Sequence, residues 1–181
     1  MPHIEPLAPA EIRDPELRGL IARCGELGVP DALFSRVLAR APAYAKALLN
    51  AMLLSHAEGN VDHKLKEIIR ISLARIAGDK YFAGLRSAKA IGQGLDEQAI
   101  EAGAGDFGRD PTFSPAEKCA LRYARLMYLD PTKVDAAFYA EMKRHFSEAQ
   151  IMELGAFIAL HYGMQVFMRT LDAVPPEASK N

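Results

Sequence analysis

Glu67, Arg86, Asp79, Tyr81, Phe82 and His161 are the residues of this sequence whose types and placement can support chemistry. Glu67 lies in the apolar run KLKEIIRISLARIAG, beside Ile71 and Ala74 at offsets of four and seven. Its carboxylate therefore borders apolar surroundings and needs a partner to stay charged. Gly78 ends that helix and Asp79 opens another, read as continuous to Gly92, on which Asp79, Phe82, Arg86 and Gln93 share one side at a period of 3.6. If the two helices pack as an antiparallel hairpin, that side faces Glu67. Two readings follow. In one, the Arg86 guanidinium forks onto a substrate carboxylate or steadies a developing enolate while Glu67 acts as general base. In the other, Glu67 and Arg86 form a buried ion pair that fixes the hairpin, and Asp79 is only a helix cap. His161, with Tyr162 beside it in IMELGAFIALHYGMQVFM, either points into the same cavity or is a core histidine bonded to a backbone carbonyl. Asp79, Tyr81, Phe82 and His161 are the candidate substrate contacts, with packing as the competing role for both aromatics.

The remaining reactive groups carry less. His56, near a helix C-terminus, reads as a surface residue that offsets the helix dipole. Arg75, projecting between Ile68 and Ile71, reads as an interface charge. His3, His63 and His145 share no spacing with each other or with carboxylates that makes a metal site, and no cofactor motif is present. Cys24 and Cys119 belong to no C-x-x-C and read as two buried or half-buried free thiols in a reducing compartment. The loop GAGDFGRDPTF lacks a preceding strand and the phosphate-loop spacing, so it reads as a connector.

These residues must be positioned by helices. The chain has 181 residues, half of them hydrophobic and a quarter charged, with no Trp and a formal net charge of -1. Such a balance gives no electrostatic reason to expect nucleic acid or a membrane surface. The N-terminus MPHIEPLAPAEIRD has no basic and apolar signal regions, which gives a cytoplasmic expectation. The run from Ile151 to Met168 is interrupted by Glu153, His161 and Gln165 and reads as a fully surrounded core helix. Residues 1–13, with Pro at 2, 6 and 9, form an extended lead-in; residues 14–174 form one helical domain, and 175–181 a polar tail. Helix starts are marked by Asp14-Pro15, Pro30-Asp31, Asp62, the capping box Ser114-Pro-Ala-Glu117, Asp135 and the capping box Ser147-Glu-Ala-Gln150. The sum is an all-α fold of about eight or nine helices. A weak echo aligns Glu67 with Glu153 and suggests a duplicated unit.

The stretch 62–94, DHKLKEIIRISLARIAGDKYFAGLRSAKAIGQG, resembles the core motif of the carboxymuconolactone decarboxylase and alkylhydroperoxidase D-like (AhpD-like) family. The resemblance continues more loosely through SPAEKCALRYARLMYLDPTKV and the C-terminal apolar run. It implies that Glu67 matches the family Glu, that Asp79 and Phe82 stand at the two cysteine positions of its Cys-x-x-Cys, and that Arg86 stands at the histidine position. Thiol peroxidase chemistry by the family mechanism is then closed to this chain, because neither Asp nor Phe forms a sulfenic acid or a disulfide. The family's lactone decarboxylases imply a cofactor-free lyase or isomerase acting on a small carbonyl or carboxylate compound. Arg86 cannot replace their His as a proton carrier, because a guanidinium keeps its proton. The alternative is a non-catalytic small-ligand-binding or oligomeric scaffold protein of the same fold. The resemblance also implies a homo-oligomer, a trimer or a hexamer.

Overall fold

The computed structural model describes residues 3–172; the proposed tail at 175–181 lies outside them. Among the described residues the regular structure is helical throughout, in ten α-helices and two short 3-10 turns. They are α1 (Pro15–Leu27), α2 (Ala32–Leu38), α3 (Pro42–Ala57), α4 (His63–Ala77), α5 (Lys80–Gly84), α6 (Ala88–Gly92), α7 (Glu97–Ala104), α8 (Pro115–Leu129), α9 (Ala136–Met142) and α10 (Glu148–Thr170).

The starts follow the cap chemistry in the sequence. Asp14, Asp31, Asp62, Asp79, Asp96 and Asp135 each accept backbone N–H groups in the first turn of the next helix. Ser114 with Glu117, and Ser147 with Gln150, close reciprocal capping boxes. The lead-in is tied down along its length: His3 N donates to Leu171 O, Leu7 N to Arg36 O, and Ile12 is buried.

The central element is α4. Twelve of its fifteen residues are buried, among them Lys66, Glu67 and Arg70, because α3, α5, α6, α7, α8 and α10 all pack around it. A helix covered on so many sides has no solvated face for its charges, so each must be paired. Lys66 shows how this is done. Its Nζ donates to Ser55 O at 2.9 Å, Glu58 O at 2.6 Å and Glu153 Oε1 at 2.9 Å, which serves carbonyls left open at the end of α3. Glu153 also receives the N–H groups of Asn60 and Val61. The two glutamates aligned by the sequence echo therefore have different settings: Glu67 is in the core, whereas Glu153 bridges the α3–α4 turn to α10. Where α7 crosses α4, a Cβ on Gly103 would lie 2.2 Å from Ile68 Cγ2, so the approach requires glycine.

Two sequence expectations change. The segment after Asp79 is broken into α5 and α6 at Leu85-Arg86-Ser87, with Leu85 extended (φ -78°, ψ 149°) and Ser87 capping α6. The proposed single face of Asp79, Phe82, Arg86 and Gln93 is therefore divided between two helices. The apolar run on α10 is also only half covered: Ile151, Leu154, Phe157, Ile158, His161, Gln165 and Met168 are buried, but Met152, Val166 and Phe167 are exposed. Among the described residues α10 is long and apolar enough to cross a membrane by length and composition, and here it packs along α4.

Candidate functional site

A buried polar cluster occupies the contact between α3, α4, the α5–α6 break and α10. At its centre is Glu67, fully buried. Oε2 accepts from Arg70 Nε at 2.8 Å and contacts His56 Nε2 at 2.9 Å; Oε1 accepts from Arg70 Nη2 at 2.7 Å and from the Ser87 N–H at 2.9 Å. Four contacts fill the acceptor positions of a carboxylate. Burial alone would push the Glu67 carboxyl up, but the Arg70 charge and hydrogen bonds, with His56 behind them, hold it well below the usual carboxylate range.

Arg70, one helical turn after Glu67, is equally buried. Besides its fork onto Glu67, Nη1 donates to Phe82 O at 2.6 Å and Nη2 to Leu85 O at 2.7 Å. The guanidinium thus ties the acid to the open carbonyls at the end of α5. The break at 85–87 has a cause in the same network. It frees the Ser87 N–H to reach Glu67, and lets Ser87 Oγ meet His63 Nε2 at 2.7 Å. His63 Nδ1 lies 2.7 Å from His56 O. A carbonyl only accepts, so Nδ1 of the neutral ring carries the proton and Nε2 accepts from Ser87. Burial first and the neighbouring His56 second lower the His63 pKa to about 4.

His161 completes the cluster from α10. Its ring lies 4.3 Å from Phe157 and 5.3 Å from His56, centroid to centroid. It is buried, and neither ring nitrogen has a hydrogen-bond partner; the same is true of Gln165 Oε1 one turn on. Burial, followed by the nearby His56 and Arg70, holds the His161 pKa well below the usual histidine value, so the ring is neutral. One nitrogen then donates and the other accepts, and both are unused.

Of the six candidate residues, the structure brings Glu67 and His161 together and leaves the other four outside the cluster. Arg86 turns away: its guanidinium pairs with Glu97 at 2.8 Å and caps Ala83 O and Leu85 O at the end of α5. The Glu67–Arg86 pair is thus replaced by Glu67–Arg70, because the break at 85–87 rotates Arg86 outward. Asp79 is a buried helix cap serving Tyr81 and Phe82 N–H groups, and burial raises its pKa. Tyr81 and Phe82 are packing residues. Tyr81 donates its hydroxyl to Asp31, and Phe82 meets the Phe34 ring edge-on at 5.1 Å. His161 is not bonded to a carbonyl, and Arg75 pairs with Glu101 at the surface. His56, expected at the surface, is 1% exposed against Glu67. Cys24 and Cys119 are buried free thiols, each pushed up by burial, in separate parts of the core. Among the described residues no group of His, Cys, Asp and Glu is arranged to hold a metal ion.

No family model and no curated protein matches the sequence. Solved structures do match the fold. The debrominase Bmp8 aligns with a TM-score of 0.81 at 20% identity, covering 97% of this chain and 92% of its own. A Cys-to-Ala variant of Bmp8 in complex with 2,3,4-tribromopyrrole aligns equally well. An alkylhydroperoxidase AhpD core, a peroxidase-related protein from Ralstonia eutropha, aligns with a TM-score of 0.78 at 16% identity over 97% of this chain and 93% of its own. A peroxidase-related protein from Silicibacter sp. gives 0.74 at 15% identity over 92% and 89%. The chain has the AhpD-like fold.

Proposed function

We propose that this protein binds a small carbonyl or carboxylate compound at the His161 cluster and acts on it by acid–base chemistry, as a cofactor-free lyase or isomerase. The observation that carries this reading is His161, buried with both ring nitrogens unpartnered beside a fixed carboxylate and a second imidazole. An unpaired buried polar group costs about 1–3 kcal/mol, and a bound ligand would offset that cost. A neutral imidazole can take a proton at one nitrogen while its other N–H holds a substrate oxygen. Gln165 Oε1 only accepts, so the occupant that fits must also present a donor. On this proposal His161, and not Glu67, serves as the base. The acceptor positions of Glu67 are filled, and its role is to orient His56 and hold Arg70. Asp79 and Phe82 at the family's cysteine positions leave thiol peroxidase chemistry without its nucleophile. Bmp8, with its bound halogenated pyrrole, supports a small-molecule site in this architecture.

The test is His161→Phe, which keeps a ring and removes both nitrogens. It is expected to hold or raise stability, by about 1 kcal/mol or more, while abolishing binding or turnover of small keto acids and carboxylates that the parent protein recognises. Unchanged binding in the variant would remove His161 from the site. A second reading, a non-catalytic scaffold, is favoured by the complete burial of Glu67, Arg70 and His161.

We also infer a homo-oligomer formed through α3 and α10. Their exposed residues recur at helical seam spacing: Tyr44, Ala47, Ala51 and Leu54 on one, and Met152, Ala156, Ala159, Gly163 and Val166 on the other. A groove of about 410 Å3 lies between them. Apart from Glu153, which lines the groove and is paired with Lys66, this face presents uncharged residues on both helices and suits an isologous contact with a second copy. The double substitution Leu54→Glu and Met152→Glu is expected to yield monomers in sedimentation; an unchanged assembly would place the interface elsewhere.

A further inference from the structure

On the N-terminal face, remote in sequence from the His161 cluster, four arginines lack an acidic partner. Arg23, Arg70, Arg75, Arg86, Arg109 and Arg122 each pair with a carboxylate. Arg13, Arg18, Arg36 and Arg40 form no ion pair among the described residues, as is also true of Arg125, Arg144 and Arg169 elsewhere in the fold. Arg18 and Arg36 line one cleft, of about 540 Å3, whose other walls are Pro9, Ile12, Ile21, Ala22 and Ala32. Their hydrogen bonds are long and go to the lead-in backbone, from Arg18 Nη1 to Ile12 O at 3.5 Å and from Arg36 Nη1 to Leu7 O at 3.4 Å. Most of their donors are therefore uncommitted. Arg13 and Arg40 line the adjoining cleft, which shares Ile12. The acids there are occupied: Glu11 accepts from Ala8 N, and Asp14 caps α1 and binds Lys46.

We propose that the cleft between α1, α2 and the lead-in binds an amphipathic carboxylate, a medium-chain acyl or aryl acid. The apolar walls take the chain, and the Arg18 and Arg36 guanidinium groups take the carboxylate. The volume is within the range of small-molecule sites, about 300–1,000 Å3. Planar guanidinium groups match a carboxylate in a fork, and the Arg18 and Arg36 charges on the cleft wall attract an anion. A free inorganic anion would leave the apolar walls wet, so chain and charge are both required. This site is independent of the chemistry proposed for His161.

Octanoate is the probe, titrated into the full-length protein and followed by amide NMR. The expected result is saturable shifts at Ile12, Ile21, Ala22 and Ala32. Octanol, with the same chain and no charge, should bind at least about tenfold more weakly, a difference of about 1.4 kcal/mol, and inorganic phosphate should not compete. The double variant Arg18→Gln and Arg36→Gln should weaken octanoate at least tenfold. Ala22→Trp, on the exposed wall of α1, should block the cleft if the double variant fails to fold. His161→Phe should leave the octanoate-dependent shifts at Ile12, Ile21, Ala22 and Ala32 unchanged even where it abolishes binding at the buried cluster, which separates the two sites. No saturable change, equal binding of octanol, full competition by phosphate, or unchanged affinity in the Ala22→Trp protein would overturn the proposal.

Discussion

Replacing Arg70 by Met is expected to cost about 3–5 kcal/mol of folding stability, the loss typical of a buried ion pair that keeps only one partner. The magnitude follows from what the guanidinium does. It supplies two of the four hydrogen bonds to Glu67 and closes the carbonyls of Phe82 and Leu85. Without it a fully buried carboxylate has one imidazole and one backbone N–H, and the carbonyls of Phe82 and Leu85 each lose a donor, keeping only the Leu85 N–H and Arg86 Nη1. Urea unfolding of the single variant measures the loss. The double variant with Glu67→Gln should recover part of it, because the uncompensated charge is gone, the amide oxygen can still accept from the Ser87 N–H, and the amide NH2 can donate to His56 Nε2. A loss below about 1 kcal/mol in Arg70→Met would mean that the cluster is wet and open, and that Glu67 is available to a substrate after all.

The Arg70 case also shows where the sequence was legible. Helix starts were readable because Asp14, Asp62, Ser114 and Ser147 act within four residues of themselves, and local cap chemistry does not depend on the rest of the fold. Glu67 stood out because it is a charge in a helix with too wide an apolar face. Its partner was equally local, three residues on, where an i, i+3 ion pair is geometrically natural. The more distant Arg86 drew attention only because the segment from Lys80 to Gly92 reads as one helix. Ser87 is the residue that breaks that reading, since a serine can cap a new helix as readily as sit inside one. His56 and His63 carried no usable pattern. They meet Glu67 and Ser87 because the α3–α4 turn folds the end of one helix onto the start of the next, and that register is set by Lys66 and Glu153. His161 has two readings in the sequence; in the structure it packs against Phe157 and His56, yet no carbonyl or side chain hydrogen-bonds to either ring nitrogen.

The second large effect is a loss of stability as pH falls from about 6.5 toward 4. His63 has its folded pKa lowered from 6.5 to about 4, and His161 is lowered well below 6.5. For both, the unfolded chain takes up a proton in a range where the folded chain does not. Their stabilisation is therefore complete above the unfolded pKa and is lost as pH falls toward the folded one. The lowering of the His63 pKa from 6.5 to about 4 corresponds to about 3 kcal/mol, and the local slope is about 1.4 kcal/mol per pH unit for each histidine. Glu67 adds a further loss below 4.5, where its carboxyl would protonate in the unfolded chain first. Urea midpoints measured from pH 7.5 to 4.5 should fall steadily, whereas a flat profile between pH 6.5 and 5 would mean that neither imidazole is held neutral. His63→Gln tests the assignment. Gln can donate to His56 O and accept from Ser87, so it should reduce the slope by about one histidine's share. His161→Phe should remove a second share, and the two together should leave only the carboxylate limb. That residual limb separates the cost of keeping two neutral imidazoles in the core from the cost of the Glu67–Arg70 pair. The unpartnered His161 is then the group whose retention the fold alone does not explain.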